Sequence, residues 1–215
     1  MDCSYSKRYT LGEELCNSIS HGVGALFAIA ATVIMSIVSV VAGDLTKLAA
    51  SLIFGLSLVI LYTMSTVYHA VTPQKAKEVL RVFDHCSIFL LIAGTYTPFT
   101  MIVLQDTVGG WLSAFIWGAT VLGIVLNVIS IERFKKLSMI CYLAMGWSIV
   151  FTIRPLWQNL APGGIALLVG GGLLYTLGTL FYRRTDIKYM HFVWHLFVLG
   201  GSICHFLAVL LYILL

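Results

Sequence analysis

Long apolar runs separated by short polar breaks occupy the chain from residue 23 onward, covering about 23–41, 48–68, 82–103, 110–129, 137–153, 163–181 and 188–215. A helix needs about 20 apolar residues to cross the hydrocarbon of a bilayer, so the pattern predicts seven transmembrane helices. The breaks carry turn chemistry: Gly43 and Asp44 close the first hairpin, and Pro73 stops the second run. Pro98, inside the segment GTYTPF, is expected to kink or locally open the third helix, because it lacks a backbone donor and clashes with the preceding turn. Glycines at 163, 164, 170, 171, 172 and 178 let neighbouring helices approach the sixth run closely, or line a groove there. Ahead of the first run, Thr10 and Glu13 have the spacing of a capping box that opens a short amphipathic helix at the interface. That run is too long for a signal peptide and leads directly into further membrane segments. The expected fold is an all-α integral membrane protein. One domain over residues 1–215 forms a seven-transmembrane helix bundle behind a short cytoplasmic segment 1–20.

Composition agrees, with 60% hydrophobic and 10% charged residues among 215 and a mean hydropathy of +0.97. A soluble domain would be nearer half apolar and a quarter charged. The net charge of +4 comes from basic residues in short loops beside apolar runs, which excludes a nucleic-acid partner and points to membrane topology. All 13 Lys and Arg except Lys47 and Arg154 fall on one side of the predicted bundle. By the positive-inside rule that side, with the N-terminus, is cytoplasmic, and an odd number of spans puts the C-terminus outside. The protein is therefore expected in the cell membrane as a multi-pass protein. Its five cysteines are scattered without CxxC spacing and read as free thiols.

The expected topology brings metal-capable residues to one depth. His191 and His195 open the last run four residues apart, on one helical face, and Ser65 and His69 repeat that spacing at the end of the second. Asp84 opens the third run at the same level. Three imidazoles, His69, His191 and His195, with water in a fourth position would form the ligand set of a catalytic zinc site. Asp84 could then act as general base or hold the water, and Ser65 could orient the water or steady an oxyanion. Histidines at a membrane interface can also serve structure alone, but ionisable groups gathered in one layer of a membrane protein point to function. His85 points about 100° away from Asp84 and is expected outside the site, whereas His21 is expected to line it or to bond a neighbouring loop. His205 lies about 15 Å deeper than His195 and reads as a packing residue. Glu13 and Glu14 read as ordinary interfacial acids.

With these residues in place, the chain resembles the bacterial haemolysin III proteins, in one superfamily with the progestin and adiponectin receptors and the alkaline ceramidases. The resemblance rests on ELCNSISH at 14–21, STVYH at 65–69, Asp84 in FDHCSIFLLIAGTYTPF and HFVWH at 191–195. It implies a zinc ion held by His69, His191 and His195 with Asp84 and Ser65 nearby, in a seven-helix bundle. It also implies hydrolysis of a lipid amide, as in the ceramidase branch. The leading expectation is thus a zinc-dependent hydrolase of a lipid amide or ester at the cytoplasmic interface, with a membrane lipid as substrate. The alternatives are a zinc-stabilised receptor, sensor or transporter without hydrolysis, and a cytolysin that permeabilises membranes. A channel is disfavoured because the ionisable groups crowd at one face instead of repeating through the bilayer.

Overall fold

A computed structural model describes residues 9–184 and 186–215. Helices α1 (Leu11–Val41), α2 (Leu45–Ala70), α3 (Gln74–Pro98), α4 (Gly109–Trp147), α5 (Ile153–Asn159), α6 (Pro162–Tyr182) and α7 (Met190–Val209) follow in order, with no strand among the described residues. Lys7, Arg8 and Cys3 lie outside them.

The starts of these helices follow local chemistry. Thr10 caps α1 in a full capping box with Glu13, but α1 then runs unbroken for 31 residues, so no separate interfacial helix precedes the first span. Asp44 caps α2 by accepting the Thr46 and Lys47 amides at 2.8 and 3.0 Å, after Gly43 turns the chain at a φ of 66°. Pro162 sits in the first turn of α6, where its missing amide costs no helical bond. After Pro98 the winding of α3 passes into a π-helical turn, Phe99–Val103, which is the local opening that the proline predicts.

Among the described residues six helices, not the expected seven, are long and apolar enough to cross a membrane. The runs expected as fourth and fifth spans belong to one 51-residue helical unit, Gly109–Asn159, in which α4 continues through a 3-10 turn (Ser148–Thr152) into α5. The polar stretch IERFKK, expected as a loop, is itself helical. The unit bends at Ser130, whose backbone is extended (φ −171°, ψ 108°) and whose Oγ accepts the Arg133 amide at 3.3 Å. One residue in a capping conformation interrupts the helix and restarts it at once, so no loop is needed. The bend is sharp: Ser138 donates to Asn127 Oδ1 at 2.8 Å and Asn127 to the Tyr142 hydroxyl at 3.3 Å, across separations of about 16 and 22 Å in a straight helix. With seven spans withdrawn, the odd-number argument for termini on opposite membrane faces is withdrawn too.

The bundle is inverted relative to a soluble protein, as a membrane-embedded, multi-pass chain requires. Leu26, Val33 and Val40 of α1 face outward, while Asn17, His21 and Ser39 of the same helix are buried. Close approach is built in at Gly24, where a Cβ would lie 2.4 Å from the Tyr62 ring of α2. The glycines of α6 divide: 163, 164, 171 and 178 meet side chains of the last helical segment or of Leu160, whereas Gly170 faces open space. Tyr96 pins α3 to the second arm of the bent unit, donating to the Met145 carbonyl at 2.7 Å and accepting the Ile149 amide at 2.9 Å. At the end of the bundle away from the histidines, Lys47 donates to the Leu214 carbonyl at 2.8 Å. Cys16, Cys86, Cys141 and Cys204 are free thiols.

Candidate metal centre

The first turns of α1, α3 and α7 and the last turn of α2 meet at one end of the bundle, which brings distant residues together. The donor nitrogens of His69, His191 and His195 lie within 4.8 Å of one another. The His191 and His195 rings are 4.6 Å apart, and each is 5.2 Å from that of His69. His69 and His195 are buried and His191 is half-buried.

Hydrogen bonds from α1 fix two of these rings. Glu14 Oε2 lies 2.6 Å from His69 Nδ1, and a carboxylate only accepts, so Nδ1 carries the proton. The lone pair then sits on His69 Nε2, which is buried without a hydrogen-bond partner among the described residues. An unsatisfied buried acceptor costs about 1–3 kcal/mol, and a metal ion is a group that would satisfy it. His195 Nδ1 donates to the Asn17 carbonyl at 3.2 Å, with Ser20 Oγ also at 3.2 Å, which again leaves Nε2 as the lone-pair nitrogen. An imidazole bonded through one nitrogen and open at the other is the usual arrangement of a ligating histidine. Two such donors, with His191 as the third imidazole of the cluster, can hold zinc or a similar divalent ion with a coordination position to spare.

The predicted residues divide clearly. His69, His191 and His195 cluster as expected. Ser65, buried on α2, and Asp84, half-buried on α3, line the same cavity as His191 and His195. His85 is not a member of the three-histidine cluster and donates through Nδ1 to the Arg81 carbonyl at 2.9 Å, but, against expectation, it lines the same cavity beside Asp84. His21 lines the cavity, stacking 3.5 Å from the His195 ring at 12° and meeting the Tyr62 ring edge-on. His205 lines the far part of that cavity.

Glu13 and Glu14 are not ordinary interfacial acids. Glu13 is buried and its Oε1 accepts the Tyr189 amide at 2.9 Å, tying the start of α1 to the entry of α7. Glu14 bridges His69 and Lys77, whose Nζ lies 2.6 Å from Oε1. The signal was available in ELCNSISH, because Glu14, Asn17 and His21 recur at helical spacing on one face.

Two cavities are lined by histidines of the cluster, one by His191 and His195 and the other by His69. One, of about 180 Å³, contains His21, Ser65, Asp84, His191 and His195 at one end and is otherwise mostly Leu, Ile, Val and aromatic. The other, of about 420 Å³, is lined by His69, Glu14, Lys77, Glu78 and Arg81 with Tyr9 and Ser18. Tyr9 stacks on His191 at 5.1 Å.

The chain is 41% identical to Hemolysin-3 of Bacillus cereus over 202 residues, covering 94% of this chain and 92% of that protein. It is equally similar, at 41% over 204 residues, to the Hemolysin-3 homolog of Bacillus subtilis, covering 95% and 96%. The human monocyte to macrophage differentiation factor is 29% identical over 169 residues, 75% of this chain and 69% of that one. Residues 9–206, which hold every residue of the centre, match the haemolysin-III-related family, and the chain belongs to that family.

Proposed function

We propose that the protein is a zinc-dependent hydrolase that cleaves an amide or ester bond in a membrane lipid near one face of the bilayer. The observation that carries this reading is that the histidine cluster opens on an elongated, mostly apolar cavity with a carboxylate and a hydroxyl beside it. His69, His191 and His195 would hold the zinc ion, which when bound supplies Lewis acidity toward water and a carbonyl. Asp84 takes the proton from the attacking water and returns it to the departing amine or alcohol as the carbon–nitrogen or carbon–oxygen bond breaks. Ser65 donates a hydrogen bond to the carbonyl oxygen as charge develops on it. The walls formed by Ile88, Leu91, Ile92 and Val198 hold the acyl chain out of water.

The test is release of fatty acid from N-acyl and O-acyl lipids by the purified chain in lipid nanodiscs, with zinc content measured in parallel. Asp84→Asn is expected to keep its zinc and lose about 100-fold or more of the hydrolysis. Undiminished hydrolysis in that variant would remove Asp84 from the reaction. A second reading has its own support, since the cluster joins α2 to α7 and a metal there would staple the bundle without breaking any bond. In that case chelation lowers Tm and no lipid is turned over at any metal loading.

A further inference from the structure

His205 is ten residues beyond His195 on α7, about 15 Å farther into the bundle, where the surroundings are hydrocarbon-like. Its ring is only 7% exposed and lines the cavity at the opposite end from Asp84. One ring nitrogen has a clear structural task. A carbonyl only accepts, so Nε2 carries the proton and donates to the Leu168 carbonyl of α6 at 3.1 Å. Gly171 makes room for this contact, because a Cβ there would lie 2.4 Å from both Cδ2 and Nε2. The Cδ2–Nε2 edge is thus fixed against α6.

The other nitrogen is not explained by packing. In a neutral ring Nδ1 is an acceptor, it lies on the edge turned away from α6, and it has no hydrogen-bond partner among the described residues. Nearby hydroxyls are bonded to one another: Tyr62 donates to Ser202 Oγ at 2.7 Å, and Tyr175 lies 2.8 Å from the same oxygen. An aromatic or aliphatic residue would pack here without leaving a buried acceptor. The acceptor therefore suits a ligand that brings a donor to this depth.

We propose that His205 Nδ1 receives a hydrogen bond from a hydroxyl carried in mid-chain by the lipid in this cavity, making its deep end a specificity subsite for hydroxylated acyl chains. The inference rests on the cavity being a lipid site, but not on hydrolysis. A fully saturated chain leaves Nδ1 bare, whereas a hydroxyl at that distance from the cluster satisfies Nδ1 and is itself satisfied. A hydroxyl elsewhere along the chain would at a cost meet mainly aliphatic and aromatic side chains, and the lining hydroxyls of Thr95, Thr176 and Thr179 are already engaged with backbone carbonyls.

The experiment is competition against radiolabelled oleic acid on the full chain in lipid nanodiscs, comparing unlabelled oleic acid with ricinoleic acid, its mid-chain hydroxylated counterpart. The wild-type protein is expected to bind ricinoleic acid about tenfold more tightly. His205→Phe should lose the preference and bind the two fatty acids alike, while His205→Gln, which keeps both a donor and an acceptor, should retain part of it. Equal affinities in the wild type, or a preference that survives in His205→Phe, would overturn the subsite and leave the lipid cavity standing. Failure of both fatty acids to bind would overturn the subsite and the lipid reading together. The wild-type comparison decides even where the Phe variant does not fold.

Discussion

The cavity of about 420 Å³ at the end of the bundle is lined by His69 and the one of about 180 Å³ within it by His191 and His195, and their linings differ in kind. On the polar side, charged groups answer one another: Lys77 and His69 are both held by Glu14, and Arg81 pairs with Glu132. On the apolar side, aliphatic and aromatic side chains dominate, and the lining adds Asp84 near the cluster, the histidines, and hydroxyls of Ser65, Thr95, Thr176 and Thr179. The difference assigns tasks. His69 is oriented from the polar side by Glu14, His195 is oriented by Asn17 and Ser20 of α1, and the apolar space proposed to take a lipid opens on the other side. Changes to the two sides should consequently separate, one acting on metal affinity and the other on lipid.

The largest effect should come from the histidine cluster itself. His191→Ala is expected to weaken zinc binding by about 100-fold or more, read by competition with a chromogenic chelator. Next is the polar side, where Glu14→Ala removes the acceptor that fixes the His69 tautomer and should cost about 10- to 100-fold in zinc affinity. Glu14→Gln, which can still accept from Nδ1–H, should recover part of that loss. On the apolar side, Val198→Trp fills the cavity at a buried wall position. It should cost about 1–3 kcal/mol of stability by overpacking, abolish lipid binding and leave zinc content unchanged. Loss of zinc in that variant would show that the two sides are not separable. The smallest effect is expected from Lys77→Met, which removes one partner of a partly exposed ion pair and should change zinc affinity by no more than about 1 kcal/mol.

Much of this arrangement was legible in the sequence. The pairs Ser65/His69 and His191/His195 declare their faces through helical spacing, and their position at the ends of apolar runs fixes their depth. Face was read correctly for each pair, but the common depth of His69, His191 and His195 was inferred from seven spans, so their meeting rests on the packing itself, and His85, expected outside, lines the cavity beside Asp84. Two things could not be read in this way. Rotation of one helix against another is invisible to periodicity, so the contacts of Glu14 with His69 and of His21 with His195 appear only when α1 is packed. The unit Gly109–Asn159 defeats hydropathy for another reason. Hydropathy finds a polar interval and infers a loop, but IERFKK is polar and helical, and the interruption is a single serine whose side chain caps the next turn.

The centre draws its residues from both extremities of the described chain, with Glu14 and Asn17 near its start and His191 and His195 near its finish. During synthesis the first hairpin can form early, with Glu14 and Asn17 already in contact with His69. The last two imidazoles leave the ribosome only after α1 to α6 have been made and become available only when α7 has docked beside α1. Metal capture is thus confined to molecules whose insertion is complete, and retention of the ion in a detergent extract would serve as a count of finished copies.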